Sequence, residues 1–227
     1  FADQSTGWAV GESGLLLRTD DGGYSWQRLS DGGREDVNDI AFFDEELGIS
    51  VGSRGRVWIT NDSGKNWLPV VSGTDAGLNA LHFATGERGW VVGDRGTVLR
   101  TINGGASWGK GISGVTEDLL GVYFISETHG FAVGTGGLIL RTTSGGAYWQ
   151  AVESGTRSWL SDVKFFDEKR GVAVGASGTI LQTADGGATW QKIKTNLREN
   201  LYAVSLTNEK YGFAVGASGA NLRTEDG

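Results

Sequence analysis

Acidic residues at fixed offsets from a threonine and a tryptophan are the first groups in this sequence that could do chemistry. Thr19-Asp20-Asp21-Gly22-Gly23-Tyr24-Ser25-Trp26 sets Asp21 just after a threonine and just before a tryptophan. Asp62, Asn103, Ser144 and Asp185 hold the same place before Trp67, Trp108, Trp149 and Trp190. A carboxylate in a Gly-rich turn can ligate a metal or move a proton. It can also accept hydrogen bonds from backbone N–H groups of its own turn, while glycine supplies the positive-φ positions. Ser144 fills the place without a carboxylate, and a turn repeated along the chain is explained by folding alone. These positions are therefore read as structural turns on a face away from any pocket. Each tryptophan ring is expected to pack beneath its turn, with the indole N–H free to find a carbonyl.

Other reactive constellations are missing. There is no cysteine, which excludes disulfides, thiolate metal sites and a Cys nucleophile. His82 and His129 stand alone at unrelated positions, whereas a protein metal site needs several ligands. Glu45 and Glu46 read as solvated surface. No glycine turn leads into a helix that could cradle phosphate. No metal and no cofactor is therefore expected. The net charge of −7 opposes general nucleic-acid binding, which needs clustered Lys and Arg. No apolar run is long enough to span a membrane.

The turns recur because the chain repeats. A Gly-x-x-Val-Gly step begins at Gly7, Gly48, Gly89, Gly130, Gly171 and Gly212, each 41 residues after the last. The tryptophans of the turns keep the same interval. Each repeat reads as four short strands, A to D. In the copy around Gly130 they are Leu119 to Ile125, Gly130 to Val133, Leu138 to Thr142 and Trp149 to Val152. Short strands with Gly turns at this period match the four-stranded antiparallel blades of an all-β propeller. Strand B is apolar at nearly every position, as expected where both faces are covered. Residues 1–227 are read as one propeller domain of about five and a half repeats, incomplete at both ends because unpaired sheet edges need closure. There is no methionine, so Phe1 is not a translation start.

In such a blade the B–C turn and D–A loop share one face, and the A–B and C–D turns share the other. Two sets of arginines depart from the repeat on the first face. Arg54 and Arg95 replace Ser13, Gly136, Ser177 and Ser218 in the B–C turn. Arg34, Arg157 and Arg198 share one D–A position, and Trp159 stands where other copies have Asp36, Gly77, Asp118 and Asn200. Surface arginine is common, but Arg and Trp are frequent interface anchors and Arg suits carboxylates. The sharper reading is a docking surface for an acidic segment or a carboxylate terminus of a protein. Arg18, Arg100, Arg141 and Arg223 share a different position and are expected to pair within or between blades.

The run Val-Gly-x-x-Gly-x-Leu/Ile-Leu-Arg-Thr-x-Asp-Gly-Gly-x-Thr-Trp resembles the photosystem II stability/assembly factor family, within the wider class of BNR/Asp-box propellers that includes sialidases. The resemblance covers essentially the whole chain. It implies a seven-bladed parent ring, with six blades as the alternative. It also implies export to the thylakoid lumen or periplasm, and a non-enzymatic role as an assembly factor or protein-binding platform. A sialidase would need three converging arginines, a Tyr–Glu pair and an acidic proton donor. Repeat-equivalent arginines do not converge in that way, and uniform loops leave little room for a lid. The other readings are a carbohydrate-active or carbohydrate-binding Asp-box propeller, and a structural repeat module of a larger secreted or surface protein.

Overall fold

The computed structural model describes residues 1–29, 33–208 and 210–226. Gly227, the last residue of the sixth C–D turn, lies outside them. The chain divides into two compact units, Phe1–Gly111 and Ile112–Gly227. Each is built from antiparallel sheets whose strands follow chain order, the expected propeller blades.

In the first unit, the first sheet holds β1 (Gly7–Gly11), β2 (Leu15–Thr19) and β3 (Gln27–Leu29). The second holds β4 (Val37–Phe42), β5 (Leu47–Gly52), β6 (Arg56–Asn61) and β7 (Leu68–Pro69). The third holds β8 (Leu78–Phe83), β9 (Gly89–Gly93), β10 (Thr97–Thr101) and β11 (Gly109–Lys110). In the second unit the fourth sheet holds β12 (Leu119–Phe124), β13 (Gly130–Gly134), β14 (Ile139–Thr142) and β15 (Gln150–Val152). The fifth holds β16 (Leu160–Phe165), β17 (Gly171–Gly175), β18 (Thr179–Thr183) and β19 (Gln191–Ile193). The sixth holds β20 (Leu201–Leu206), β21 (Gly212–Gly216) and β22 (Asn221–Thr224). Helical geometry among the described residues is confined to three-residue 3-10 turns between strands B and C.

Burial follows from two-sided packing. Ile49 and Val51 of β5, Val91 and Val92 of β9, and Phe131 to Val133 of β13 are all essentially inaccessible. Within each unit, neighbouring blades are joined through their first strands. Asn38 donates its side-chain N–H to the Leu78 carbonyl at 2.8 Å, and Ser161 Oγ donates to the Leu201 carbonyl at 2.8 Å. Asp39 accepts the Leu81 N–H at 2.8 Å, and Asp162 accepts the Val204 N–H at 3.0 Å. Both aspartates follow a register shift near the start of their strand. The bulge turns the side chain from its own ladder to the next blade.

The glycines of the 41-residue period have two separate causes. The first glycine of strand B lies under an aromatic ring in five blades and against Leu206 in the sixth: a Cβ on Gly130 would meet the Phe124 ring at 2.6 Å. The last lies against a carbonyl in every blade but the first, where Gly11 meets only the Leu15 side chain. The residue after it donates its N–H to that same oxygen, as Thr135 does to Asp118 at 2.9 Å and Ala176 to Trp159 at 2.9 Å. That bond pulls the D–A loop onto the B–C turn and leaves no room for a side chain at Gly134 or Gly175.

Candidate functional site

The C–D turns are locked from within. Asp21 accepts the Ser25 N–H at 2.8 Å, the Ser25 hydroxyl at 2.6 Å and the Thr19 hydroxyl at 2.8 Å. Asp62 holds Asn66 and Thr60, and Asp185 holds Thr189 and Thr183, in the same way. Asn103 accepts the Ser107 N–H at 3.1 Å, and Ser144 Oγ accepts the Tyr148 N–H at 3.1 Å. The threonine hydroxyl accepts a glycine N–H across the turn, 2.9 Å for Thr19 with Gly23. Both oxygens of each of these carboxylates thus accept bonds within their own turn. No group of three or more His, Asp or Glu among the described residues could hold a metal ion.

The tryptophans complete the turns unequally. Trp26, Trp67 and Trp149 donate their indole N–H to the carbonyls of Gly23, Gly64 and Gly146. The buried Nε1 atoms of Trp108 and Trp190 have no acceptor among the described residues. Each ring stands edge-on to the phenylalanine closing strand A, as Trp67 does to Phe42 at 6.1 Å. Trp67 and Trp190 are buried, Trp108 and Trp149 half-buried, and Trp26 exposed.

These bonds hold the charged form of the carboxylates. Hydrogen bonds from the Ser25 hydroxyl and N–H pull Asp21 down to about 2, and the Thr189 hydroxyl and N–H do the same for Asp185. Asp62 is lowered by the Asn66 N–H and side chain. A carboxyl depressed in the fold stabilises it above its unfolded value and stops doing so as it protonates. The thermal midpoint should therefore fall as pH drops from 3.8 to about 2. An Asp185→Asn variant, imitating Asn103, should flatten part of that fall. A slope unchanged by the substitution in a calorimetric pH series would contradict this assignment.

The opposite edge of each blade carries the departures. In the first unit Ser53 donates its N–H to the Asp36 carbonyl at 3.1 Å, so the B–C turn and D–A loop meet there. The Asp36 carboxylate also accepts the Ser13 N–H of the preceding blade at 2.8 Å. Arg54 and Arg95 sit at the middle of their turns with φ of 57° and 56°. This left-handed geometry costs a non-glycine residue about 1–2 kcal/mol. Both side chains are exposed, and Arg95 pairs with Asp75 at 2.7 Å. Arg34 is exposed beside Glu35. The Glu35 carboxyl is lowered first by its own N–H and that of Arg34, then by the charges of Arg56 and Arg54.

Sequence reasoning missed Arg56. It is 7% exposed, lies 4.9 Å over the Trp58 ring and donates to the Glu35 carbonyl at 3.1 Å. The available signal was its place in the repeat, where other copies carry Leu15, Thr97, Leu138, Thr179 and Ala220. In the second unit Arg157 and Arg198 are exposed, and Trp159 is half-buried. The Trp159 ring lies parallel to Tyr202 at 6.2 Å, and Tyr202 is 53% exposed. The guanidinium groups of Arg34, Arg54, Arg157 and Arg198 make no hydrogen bond or ion pair among the described residues.

The repeat-equivalent arginines behave differently from one another. Arg18 pairs with Asp20 at 2.7 Å and Arg223 with Glu225 at 3.0 Å, as expected. Arg100 and Arg141 have no such partner among the described residues, because Ile102 and Thr143 stand where the acid would be. Nor is the Asp-box side free of cavities: a crevice between the fourth and fifth blades includes Asp185 in its lining. Arg141 is among its lining residues and makes no ion pair among the described residues.

Short antiparallel blades whose C–D turns are bonded through an Asp or Asn define an Asp-box propeller. The chain matches the family described as photosynthesis system II assembly factor YCF48 over residues 29–113 and 147–227. It belongs to that family. Among solved structures it is similar to YCF48 bound to a D1 peptide, at 18% identity and a TM-score of 0.55, covering 100% of this chain and 90% of that one. YCF48 from Cyanidioschyzon merolae is similar at 20% identity and a TM-score of 0.71, covering 99% and 92%. The GH74 xyloglucanase from Xanthomonas campestris shares the fold at 13% identity and a TM-score of 0.75, covering 93% of this chain but 41% of the enzyme. No curated protein matches the chain. No helix among the described residues is long and apolar enough to cross a membrane.

Proposed function

We propose that this chain is a non-enzymatic assembly-factor propeller that works outside the cytoplasm and docks an acidic segment or carboxylate terminus of a protein. Membership of the YCF48 family carries this reading, and a relative bound to a D1 peptide supports a peptide partner. The docking residues are Arg34, Arg54 and Arg95 in the first unit, with the buried Arg56 on the Glu35 carbonyl, and Arg157, Arg198 and Trp159 in the second. Exposed guanidinium groups on a chain of net charge −7 give an acidic partner a focused positive target against a repelling background.

The test is charge reversal at Arg54→Glu with Arg95→Glu. Both residues are exposed in turns, and the Arg95–Asp75 pair is solvated, so the loss of stability should stay within about 1 kcal/mol. Binding of a D1 peptide, and of an acidic peptide with a free carboxyl end, should weaken and lose much of its salt dependence. Unchanged affinity at low salt would remove the arginine edge as the docking surface.

A further inference from the structure

The strand-C arginines on the Asp-box side do not all end in the same way: two pair with an acid two residues on, and two do not among the described residues. In the first blade Arg18 faces Trp8 across the ladder, lies 5.7 Å over its ring, pairs with Asp20 and reaches the Ser63 carbonyl of the next blade at 3.4 Å. The guanidinium bridges the two blades and is engaged through Nε, Nη1 and Nη2. Arg141 holds the same register opposite Phe131 in the fourth blade. Thr143 replaces the acid there, and the half-buried guanidinium has no partner among the described residues.

The space left open is a cavity of about 560 Å³ lined by Ile125, His129, Phe131, Arg141, Glu168 and Lys169, beside the Asp185 turn. This volume suits a small ligand. Its second cation is available, since Lys169 has no ion pair among the described residues, and the His129 ring makes a contact at Nδ1, with the Thr128 hydroxyl at 3.0 Å. Its anions do not satisfy Arg141. Asp185 spends both oxygens on Thr183 and Thr189, and Glu168 is exposed without pairing. A guanidinium partly removed from water and left unpaired favours a ligand that brings the missing acid.

We infer that the crevice between the fourth and fifth blades binds a small carboxylate-bearing ligand, with Arg141 gripping the carboxylate, Lys169 as the second cation, and Ile125 and Phe131 as the apolar wall. This site is separate from the B–C and D–A edge and does not depend on the docking reading.

The probes are galacturonate and succinate, with galactose as the neutral control, followed by calorimetry and by NMR of the arginine side-chain N–H signals. Both acids should bind saturably at millimolar concentration and be displaced by salt, and galactose should not bind. Arg141→Gln should cost about tenfold or more in affinity, the usual scale for a charge-assisted hydrogen bond. Lys169→Ala, an exposed change that leaves the fold alone, should weaken binding less. Arg100→Gln, at the same repeat position one blade earlier, should change nothing. Thr143→Asp supplies the acid that Arg18 has in Asp20 and should abolish binding while keeping the fold. Absence of saturable binding by either acid, equal binding of galactose, or full binding by the folded Thr143→Asp variant would overturn the assignment.

Discussion

Gly134→Ala should destabilise the second unit by about 3 kcal/mol or more, the upper end for added bulk in a packed interior. The new Cβ would land on the Asp118 carbonyl oxygen, with the Leu119 Cα only 3.1 Å away. Both neighbours are backbone, so no side chain can swing aside. That oxygen also accepts the Thr135 N–H at 2.9 Å, and moving it away breaks the bond that seats the D–A loop on the B–C turn. The φ of Gly134 is −168°, which any residue adopts, so the cost is steric and not conformational. Gly136→Ala makes a useful contrast. A Cβ there meets nothing within 4 Å, and only its φ of 69° is unfavourable. Chemical denaturation should show a far larger loss for the first variant. Equal midpoints would mean the close approach at Gly134 is not rigid.

Trp67→Ala should cost about 3–5 kcal/mol, as for large aromatic truncations in cores. The ring is 6% exposed, stands edge-on to Phe42, and donates to the Gly64 carbonyl at 2.9 Å. Phe42 in turn stacks on Trp8 of the preceding blade, with ring centroids 3.4 Å apart. The substitution therefore loosens one turn and one contact between blades together. A double-mutant cycle with Phe42→Leu should return a coupling of roughly 0.5–1.5 kcal/mol. Trp26→Ala at the equivalent but 39% exposed position should cost much less. Similar losses for Trp26 and Trp67 in equilibrium unfolding would show that burial is not what sets the effect.

The crevice at Arg141 marks a difference between repeats that otherwise match. Four arginines share a position, yet two close on an acid and two do not. A single substitution, Thr143 for an acid, changes the role of a residue two positions earlier. Repeat proteins offer this internal control without any second sequence.

The sequence by itself determined the 41-residue period, the order of strands and the chemistry of the C–D turn. These features are local: Asp21 meets Thr19 and Ser25, and Trp67 meets Gly64, all within a few residues. The same short-range bonds recur wherever the motif does, so the motif suffices to read them. Tertiary structure decided the rest. Asp39 and Asp162 look like ordinary polar strand residues until each is found on the N–H of the next blade, about one repeat away. The side chains of Ile49 and Phe131 fill the space that Gly105 and Gly187, in the C–D turn of the next blade, leave open. Arg56 is buried over Trp58 in a strand whose other copies carry smaller or aliphatic residues there. Such pairings depend on how far one blade is turned against its neighbour, and that angle is set by the packing between neighbouring sheets within each unit. No stretch of sequence shorter than two repeats contains it.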